Sequence, residues 1–538
     1  MAGRRALALA ASASAVALLA TGLALAATGE IVPQECIDDN DPPAGDTCAH
    51  GADGLAGVVA GAASPDGHSY YAVSVTDDSV AQFVRSPSGA LTPQGCIKDD
   101  DSGTDACQTS AGGLDGAFSV AISPDGRSVY VASFDDDAIA RFDRDPDTGS
   151  LSPQGCVDDG DAGQGPDSCG QTADGLDGVV SVAVSGDGKS VYAASLNDDA
   201  LVRFDRNPDT GVLTPLGCVD DNDSGVDNCS ESVDGLDGAR SVAVSRDAKS
   251  VYVASGSDDA VTRFMRDPQS GRLAPQGCID DNDAGPDSCS QSADGLDGAR
   301  AVAVSPDDES VYVSSQIDDA VVRFDRDPDD GGLTAQGCID DNDSGADACA
   351  QSADGLDGAF SLALSPDGLS VYAAAIDDDA VVRFDRNPET GGLTPQGCID
   401  DNDPPDGPDA CAQSTDGLNG ALGVAPSAGT TSLYVESIYD EAVVWFVRED
   451  EAPPETTITA GPPGKTKKRK ARFEFVSNEP FSTFECKLDK RGFKPCPSPR
   501  RYRKSLLRPR EHTFRVRALD EPGNTDPTPA KFKWKVKS

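Results

Sequence analysis

Acidic side chains recur in this chain at spacings that suit a hard cation. Asp220, Asn222, Ser224 and Gly225 occupy positions 1, 3, 5 and 6 of a D-x-[DN]-x-[DNS]-G series. That is the oxygen-rich opening of a calcium loop, in which Gly permits the sharp turn. Asp340, Asn342, Ser344 and Gly345 repeat the series, and Asp280, Asn282 and Gly285 do so with Ala284 in place of Ser. Position 12, where a bidentate Glu belongs, is Glu231 in one copy and Gln291 or Gln351 in the others. Helices do not flank these loops, so any calcium site here would be of a different, weaker, extracellular kind. The preferred reading is plainer: solvated acidic loops held in shape by disulfides, with Ca2+ as the one cofactor the sequence allows.

Acid–base chemistry has fewer candidates. It needs a His or Glu with a tuned pKa, often with an Arg to hold a carboxylate substrate. The chain has three His (His50, His68 and His512), and Glu is scarce outside the C-terminal part. Arg240 and Arg300 stand at matching places where other copies of a repeat carry Phe118, Val180 and Phe360. Two Arg so placed can clamp an anion, or they can pair with neighbouring Asp. Pairing is the expectation, and no catalytic residue is assigned.

Sixteen Cys fall into eight local pairs. Cys36 goes with Cys48, Cys96 with Cys107, Cys156 with Cys169, and Cys218 with Cys229. Cys278 goes with Cys289, Cys338 with Cys349, Cys398 with Cys411, and Cys486 with Cys496. Zinc would demand two further ligands per pair, which three His cannot supply, so the pairs read as disulfides of an exported chain. Residues 1–27 fit that reading as a signal peptide: Arg4 and Arg5, an Ala/Leu-rich run, then Ala24-Leu25-Ala26.

The elements that position these residues come from a repeat. The first Cys of each pair recurs every 60 or 62 residues from Cys36 to Cys398, a period that signals an array or a ring. In one copy FSLALS (360–365), SVYAAA (370–375), AVVRFDR (380–386) and LTPQGC (393–398) alternate apolar with polar or small residues. SPDG, IDDD and NPETGG separate them, so the copy predicts four strands joined by tight turns. Four-stranded units repeated radially make a β-propeller. EIVPQEC (30–36) matches a fourth strand without its first three, and residues 422–448 match the first three without a fourth. The N-terminal strand is therefore expected to complete the last of seven blades and to remove both free edges.

SPDGRSVYVAS (123–133) and DDAVVRFDRDPDDGGLT (318–334) resemble the repeats of the seven-bladed YVTN/lactonase-like propeller superfamily, across about 420 residues. The resemblance implies the fold. It also implies a choice of functions, since the superfamily holds 6-phosphogluconolactonase-type lactonases, muconate-type cyclases and non-catalytic surface proteins. This chain departs from the compact pattern by a disulfide-pinned loop of about twenty residues after every fourth strand.

The expected fold class is all-β: a signal peptide (1–27), a seven-bladed propeller (28–448), a linker (449–454) and a small sandwich (455–538). ARFEF, HTFRVRA and KFKWKV alternate as strands, and PETTI (454–458) with HTFRVRALDEPGNTDPTPA (512–530) resembles bacterial Ig-like or fibronectin-like modules. Residues 453–538 hold 22 Lys+Arg against 9 Asp+Glu, a net of +13, leaving 22 against 83, a net of −61, for the remainder. So acidic a propeller excludes nucleic acid as its partner, while the basic tail suits a cell-envelope polymer or the propeller itself. The functional expectation is a monomeric, secreted or wall-associated binding protein of unknown ligand, with no membrane span once the signal is removed. A lactonase-like enzyme acting at the channel is the second reading.

Overall fold

The computed structural model describes residues 30–40, 48–100, 106–160, 169–222, 229–282, 289–342, 349–402, 411–427, 432–448, 454–477, 482–503, 505–519 and 525–537. Residues 1–27, Ser224, Ser344 and most of the 449–454 linker lie outside them. Among the described residues every regular element is a β-strand. Seven five-stranded sheets form the blades, the first strand of each innermost. These inner strands pack side by side around the ring, and Val58–Ala63 of blade 1 meets Ala421–Pro426 of blade 7. Ile31–Asp39 runs antiparallel to Ala442–Arg448 as the fourth strand of blade 7, so the two ends of the repeat share one sheet.

Each second strand, such as Ser250–Ser255, is buried along its whole length between neighbouring blades. Its near-continuous run of small and apolar residues follows from covering on both faces. Third strands, such as Ala260–Arg266, alternate toward the outside. The four-stranded expectation needs one correction. A fifth, three-residue strand lies outside the fourth and parallel to it, as in Gln291–Ala293 against Ile279, Asp280 and Asp281. The cause is the disulfide: Cys278–Cys289 closes the loop at a Cα–Cα distance of 5.0 Å, returning the chain to the sheet edge in the direction from which it left.

The other pairs expected from the sequence are also bonded. Around the ring these are Cys36–Cys48, Cys96–Cys107, Cys156–Cys169, Cys218–Cys229, Cys338–Cys349 and Cys398–Cys411. The first Cys of each lies in a fourth strand. The second (Cys48, Cys107, Cys169, Cys229, Cys289, Cys349 or Cys411) is half-buried, two residues ahead of the fifth strand whose entry it fixes. Cys486–Cys496, in the C-terminal part, joins Thr483–Leu488 to the residue that follows Lys494–Pro495.

On one rim the blades are clamped by a recurring set of polar side chains. Between blades 3 and 4, Arg266 Nε donates to Tyr192 Oη at 2.8 Å. Its Nη2 donates to Ser190 Oγ at 2.9 Å and Asp187 Oδ1 at 3.1 Å, and Nη1 to the Ala248 carbonyl at 2.8 Å. Tyr192 Oη in turn donates to the Gly271 carbonyl of blade 4 at 2.9 Å. The arrangement repeats with Arg144, Arg206, Arg326 and Arg386 on Tyr71, Tyr130, Tyr252 and Tyr312. Arg85 on Tyr434 makes the same contact across the closing seam, at 2.7 Å. Burial alone would raise the partner carboxyls Asp66, Asp125, Asp187, Asp247 and Asp307, but hydrogen bonds from Ser, backbone and Arg hold them below the ordinary value.

Residues 454–537 form two further sheets. Thr456–Ala460, Ala471–Ser477 and Arg500–Tyr502 make one; Lys465–Thr466, Ala530–Val536, Glu511–Leu519, Thr483–Leu488 and Lys494–Pro495 make the other. They share a core of Phe473, Phe475, Phe514, Val516 and Trp534.

Arg266 is fully buried with every donor group engaged, so its removal leaves Asp187 and Tyr192 uncompensated. Arg266→Ala should cost about 3–5 kcal/mol of propeller stability, read as a lower denaturant midpoint. Arg272→Ala, whose side chain is 70% exposed, should change stability by less than about 0.5 kcal/mol.

Candidate active site

The innermost strands enclose a central cavity of about 430 Å³, lined mainly by small and apolar residues that include Val59, Phe118, Val180, Phe360 and Leu422. Its size suits a small organic molecule. Position three of the inner strand is Ser in several blades. Ser119, Ser181 and Ser241 each accept a hydrogen bond from the next blade's inner strand, at Val182, Val242 and Val302. These hydroxyls stitch the cavity wall together.

Arg240 of blade 4 and Arg300 of blade 5 break the apolar lining. The Arg300 guanidinium lies over the Phe360 ring, 3.7 Å from its centroid, a cation–π contact that holds it flat against the wall. Arg240 has room because residue 256 is Gly: a Cβ there would sit 2.6 Å from Arg240 Nε. The pairing expected from the sequence is not made. Among the described residues neither Arg is in ion-pair contact with a carboxylate. Burial, with the neighbouring Arg240 charge second, pushes Arg300 down to about 9, and burial lowers Arg240. Both remain cationic at neutral pH. Asp135, exposed in the turn after the second strand of blade 2, also lines the cavity.

A family described as "Lactonase, 7-bladed beta-propeller" matches residues 161–280 and 233–400. Over those residues the ring is similar to a lactonase-type propeller. No curated protein matches the chain. Solved structures to which it is similar include a provisional 6-phosphogluconolactonase from Bacteroides uniformis, 22% identical, covering 62% of this chain and 83% of that one, with a TM-score of 0.43. The periplasmic gluconolactonase of Pseudomonas aeruginosa is 19% identical, covering 65% and 86%, with a TM-score of 0.45. Hydrazine synthase from Kuenenia stuttgartiensis is 15% identical, covering 74% and 98%, with a TM-score of 0.45.

The acidic residues of the lactonase-like propeller's other rim are largely committed to its own backbone, which explains why they leave Arg240 and Arg300 alone. Asp281, ending the fourth strand of blade 4, accepts the Leu296 N–H at 2.9 Å. Asp318 accepts the Asp297 N–H at 2.7 Å, within blade 5. Asp259 accepts the Gly298 N–H of the next blade at 2.8 Å, from a turn position at φ 50° that Asp tolerates better than most residues. Corresponding bonds recur around the ring, as with Asp221, Asp258 and Asp199 on Leu236, Asp237 and Gly238.

The calcium candidates are divided by this architecture. Asp220, Asp280 and Asp340 are buried in the fourth strands, and Asp220 Oδ1 has no hydrogen-bond partner among the described residues. Asn222 donates to Asp234 at 2.7 Å, and Asn282 and Asn342 donate likewise to Asp294 and Asp354. Glu231, the position-12 candidate, is drawn away to Arg272 at 3.0 Å. Ser224 and Ser344 lie outside the described residues. Among the described residues no group of three or more His, Cys, Asp and Glu is placed to hold a metal ion.

The Asp that crosses a seam also meets an Asp of the next blade's loop. Burial, then the partner's charge, pushes Asp115 up to about 7 beside Asp78, and Asp357 up to about 6 beside Asp319. Asp137 and Asp259 rise to about 6 beside Asp177 and Asp297; there burial is again the first cause, partly offset by a backbone hydrogen bond. Asp237 rises beside Asp199. A raised carboxyl stabilises the fold below the ordinary 3.8, and loses that contribution as pH rises through about 6 to 7. The lowered Asp of the Arg clamps contribute above 3.8 and lose it as pH falls further. Calorimetry should therefore show the propeller melting higher at pH 5 than at pH 8, and lower again below about pH 3. The sixth seam already carries Asn419 opposite Asp379. Asn at 115, 177, 237, 297 and 357 should flatten the alkaline decline.

Proposed function

We propose that the chain is a lactone hydrolase that takes an anionic sugar lactone into the central cavity. The observation that carries this reading is the pair Arg240 and Arg300. They are two cations set into the wall with no carboxylate partner among the described residues, facing a cavity of small-molecule size in a lactonase-like ring. Their guanidinium groups hold the substrate's carboxylate or phosphate, for which a planar fork of donors is suited. Asp135 is the carboxylate on the cavity lining, and it accepts the proton of the attacking water as that oxygen bonds to the acyl carbon. The order of the two functional readings of the sequence is thereby reversed, with hydrolysis ahead of ligand binding alone. Disulfides form in oxidising compartments, and the eight here support export as the setting.

A panel of sugar lactones with and without an acidic group should show turnover confined to the anionic members. Arg300→Ala should raise KM for these by about tenfold or more, the scale of a lost charge-assisted hydrogen bond. Asp135→Asn should lower kcat by about 100-fold. Equal turnover of neutral and anionic lactones would rule out the arginine reading, and none at all would rule out hydrolysis.

A further inference from the structure

One seam of the ring differs from the others in four residues that touch one another. At the second position of the second strand, Val129, Val191, Val251, Val311, Val371 and Leu433 correspond to Tyr70 in blade 1. At the fifth position, Val73, Ala132, Ala194, Ala254, Ser314 and Ala374 correspond to Glu436 in blade 7. Tyr70 Oη donates to Glu436 Oε1 across the seam between blades 7 and 1. The inner strands yield space for both. Gly61 stands where other blades carry Val or Leu, and Gly423 where they carry Ser or Ala. A Cβ at Gly61 would collide with Tyr70 Oη and lie 2.7 Å from Glu436 Oε1, and one at Gly423 would collide with Glu436 Oε2.

Gly61 and Gly423 both line the central cavity. The Glu436 carboxyl is thus set behind a wall of two residues that have no side chains. It has no exposed surface, and its Oε2 has no hydrogen-bond partner among the described residues. Burying a carboxylate with one neutral donor and an orphan oxygen is costly, which packing alone does not repay, since Ala serves the same position elsewhere. In a seven-membered ring the point opposite this seam is blade 4, which carries Arg240, with Arg300 beside it.

We propose that Glu436 is the proton-bearing group of the central site, placed directly behind the side-chain-free wall of Gly61 and Gly423 to donate to an oxygen of a ligand whose anionic end is held by Arg240 and Arg300. This rests on the hydrolytic reading and assigns the remaining proton. The water oxygen bonds to the acyl carbon, the acyl carbon–ring oxygen bond breaks, and the departing ring oxygen takes the proton of Glu436 while Asp135 holds that of the water. Solvent exchange then restores both groups.

Burial pushes Glu436 up to about 7, the Tyr70 hydrogen bond opposing it, so the acid form is substantially present at neutral pH. The elements packed against it add little charge. Val58–Ala63 and Ala421–Pro426 carry no titratable residue. Ser69–Ser74 adds Tyr70 and Tyr71, the latter donating to the Gly149 carbonyl. Ala442–Arg448 adds Arg448, which is bonded to Asp367.

The test uses the full chain and D-glucaro-1,4-lactone, a lactone with a free carboxylate, with open-chain glucarate as the binding probe. Wild type should hydrolyse the lactone with kcat falling as pH rises through about 7, in line with the raised Glu436. Glu436→Gln, which keeps an acceptor for Tyr70, should leave KM within about twofold, lower kcat by about 100-fold and abolish that pH limb. Glucarate binding near pH 7, followed calorimetrically in buffers of unequal ionisation enthalpy, should take up protons in wild type and not in Glu436→Gln. Turnover with the same rate and pH profile in Glu436→Gln overturns the proposal while hydrolysis stands. Binding without turnover removes hydrolysis, and the loss of proton uptake in the variant then supports Glu436 alone. Binding without proton uptake in wild type, or no binding, overturns the assignment of Glu436.

Discussion

The ring depends on a buried guanidinium that reaches from one blade into the last. Apolar burial between blades is large but non-directional, and it leaves open how far one sheet turns against its neighbour. The Arg–Tyr–Asp–Ser set removes that freedom, because a guanidinium fork accepts partners in one plane only. Arg266 spans both blades with its own hydrogen bonds, and Tyr192 returns one to the Gly271 carbonyl. Arg85 to Tyr434 and Ser432 repeats this at the seam where the chain's two ends meet. Closure thus rests on the same contact that Arg144, Arg206, Arg266, Arg326 and Arg386 make between other blades, with Ile31–Asp39 supplying the missing strand.

The two rims use one residue type against opposite partners. On the clamp rim Asp187 faces a guanidinium and stays ionised. On the far rim Asp259 faces a backbone N–H and a second carboxyl, Asp297, and takes up protons more readily. Much of the propeller's net negative charge is therefore internal structure. Asp39, Asp99 and Asp159 hold the Leu55, Leu114 and Leu176 backbones at the start of each inner strand. Carboxylates already engaged in this way are poorly placed to bind a free cation or to neutralise an arginine in the channel.

Blade count, strand order and all the disulfides were legible because each is a periodicity: two residues along a strand, about sixty along the chain, and Cys at matching phase. The fifth strand was not, since three residues such as Gln291–Ala293 carry too short an alternation to read, and a disulfide sets their direction. The clamp was missed for another reason. Ser-Pro-Asp-Gly reads as a turn, and the same Asp is also the partner of an Arg one blade further on, 78 residues away for Asp66 and Arg144. Arg240 and Arg300 were visible as exceptions to an apolar position. Their isolation was not, because it follows from what the surrounding Asp are doing instead.

Near-identity of the blades weighed against a site in the sequence, yet the departures from identity are what define one. In an interior packed as densely as a crystal, a larger side chain at one position requires a smaller one beside it. Gly256 appears beside Arg240 where the other blades have Val75, Phe134, Leu196, Gln316, Ile376 and Ile438. Gly61 and Gly423 appear beside Tyr70 and Glu436 by the same rule. A misplaced glycine in a repeat is therefore a marker of an enlarged neighbour, readable from one sequence once the phase is known. The two markers fall on opposite sides of one cavity, one beside two cations and one beside a buried carboxyl. A ring with sevenfold equivalence offers a ligand no preferred orientation; these two departures supply one.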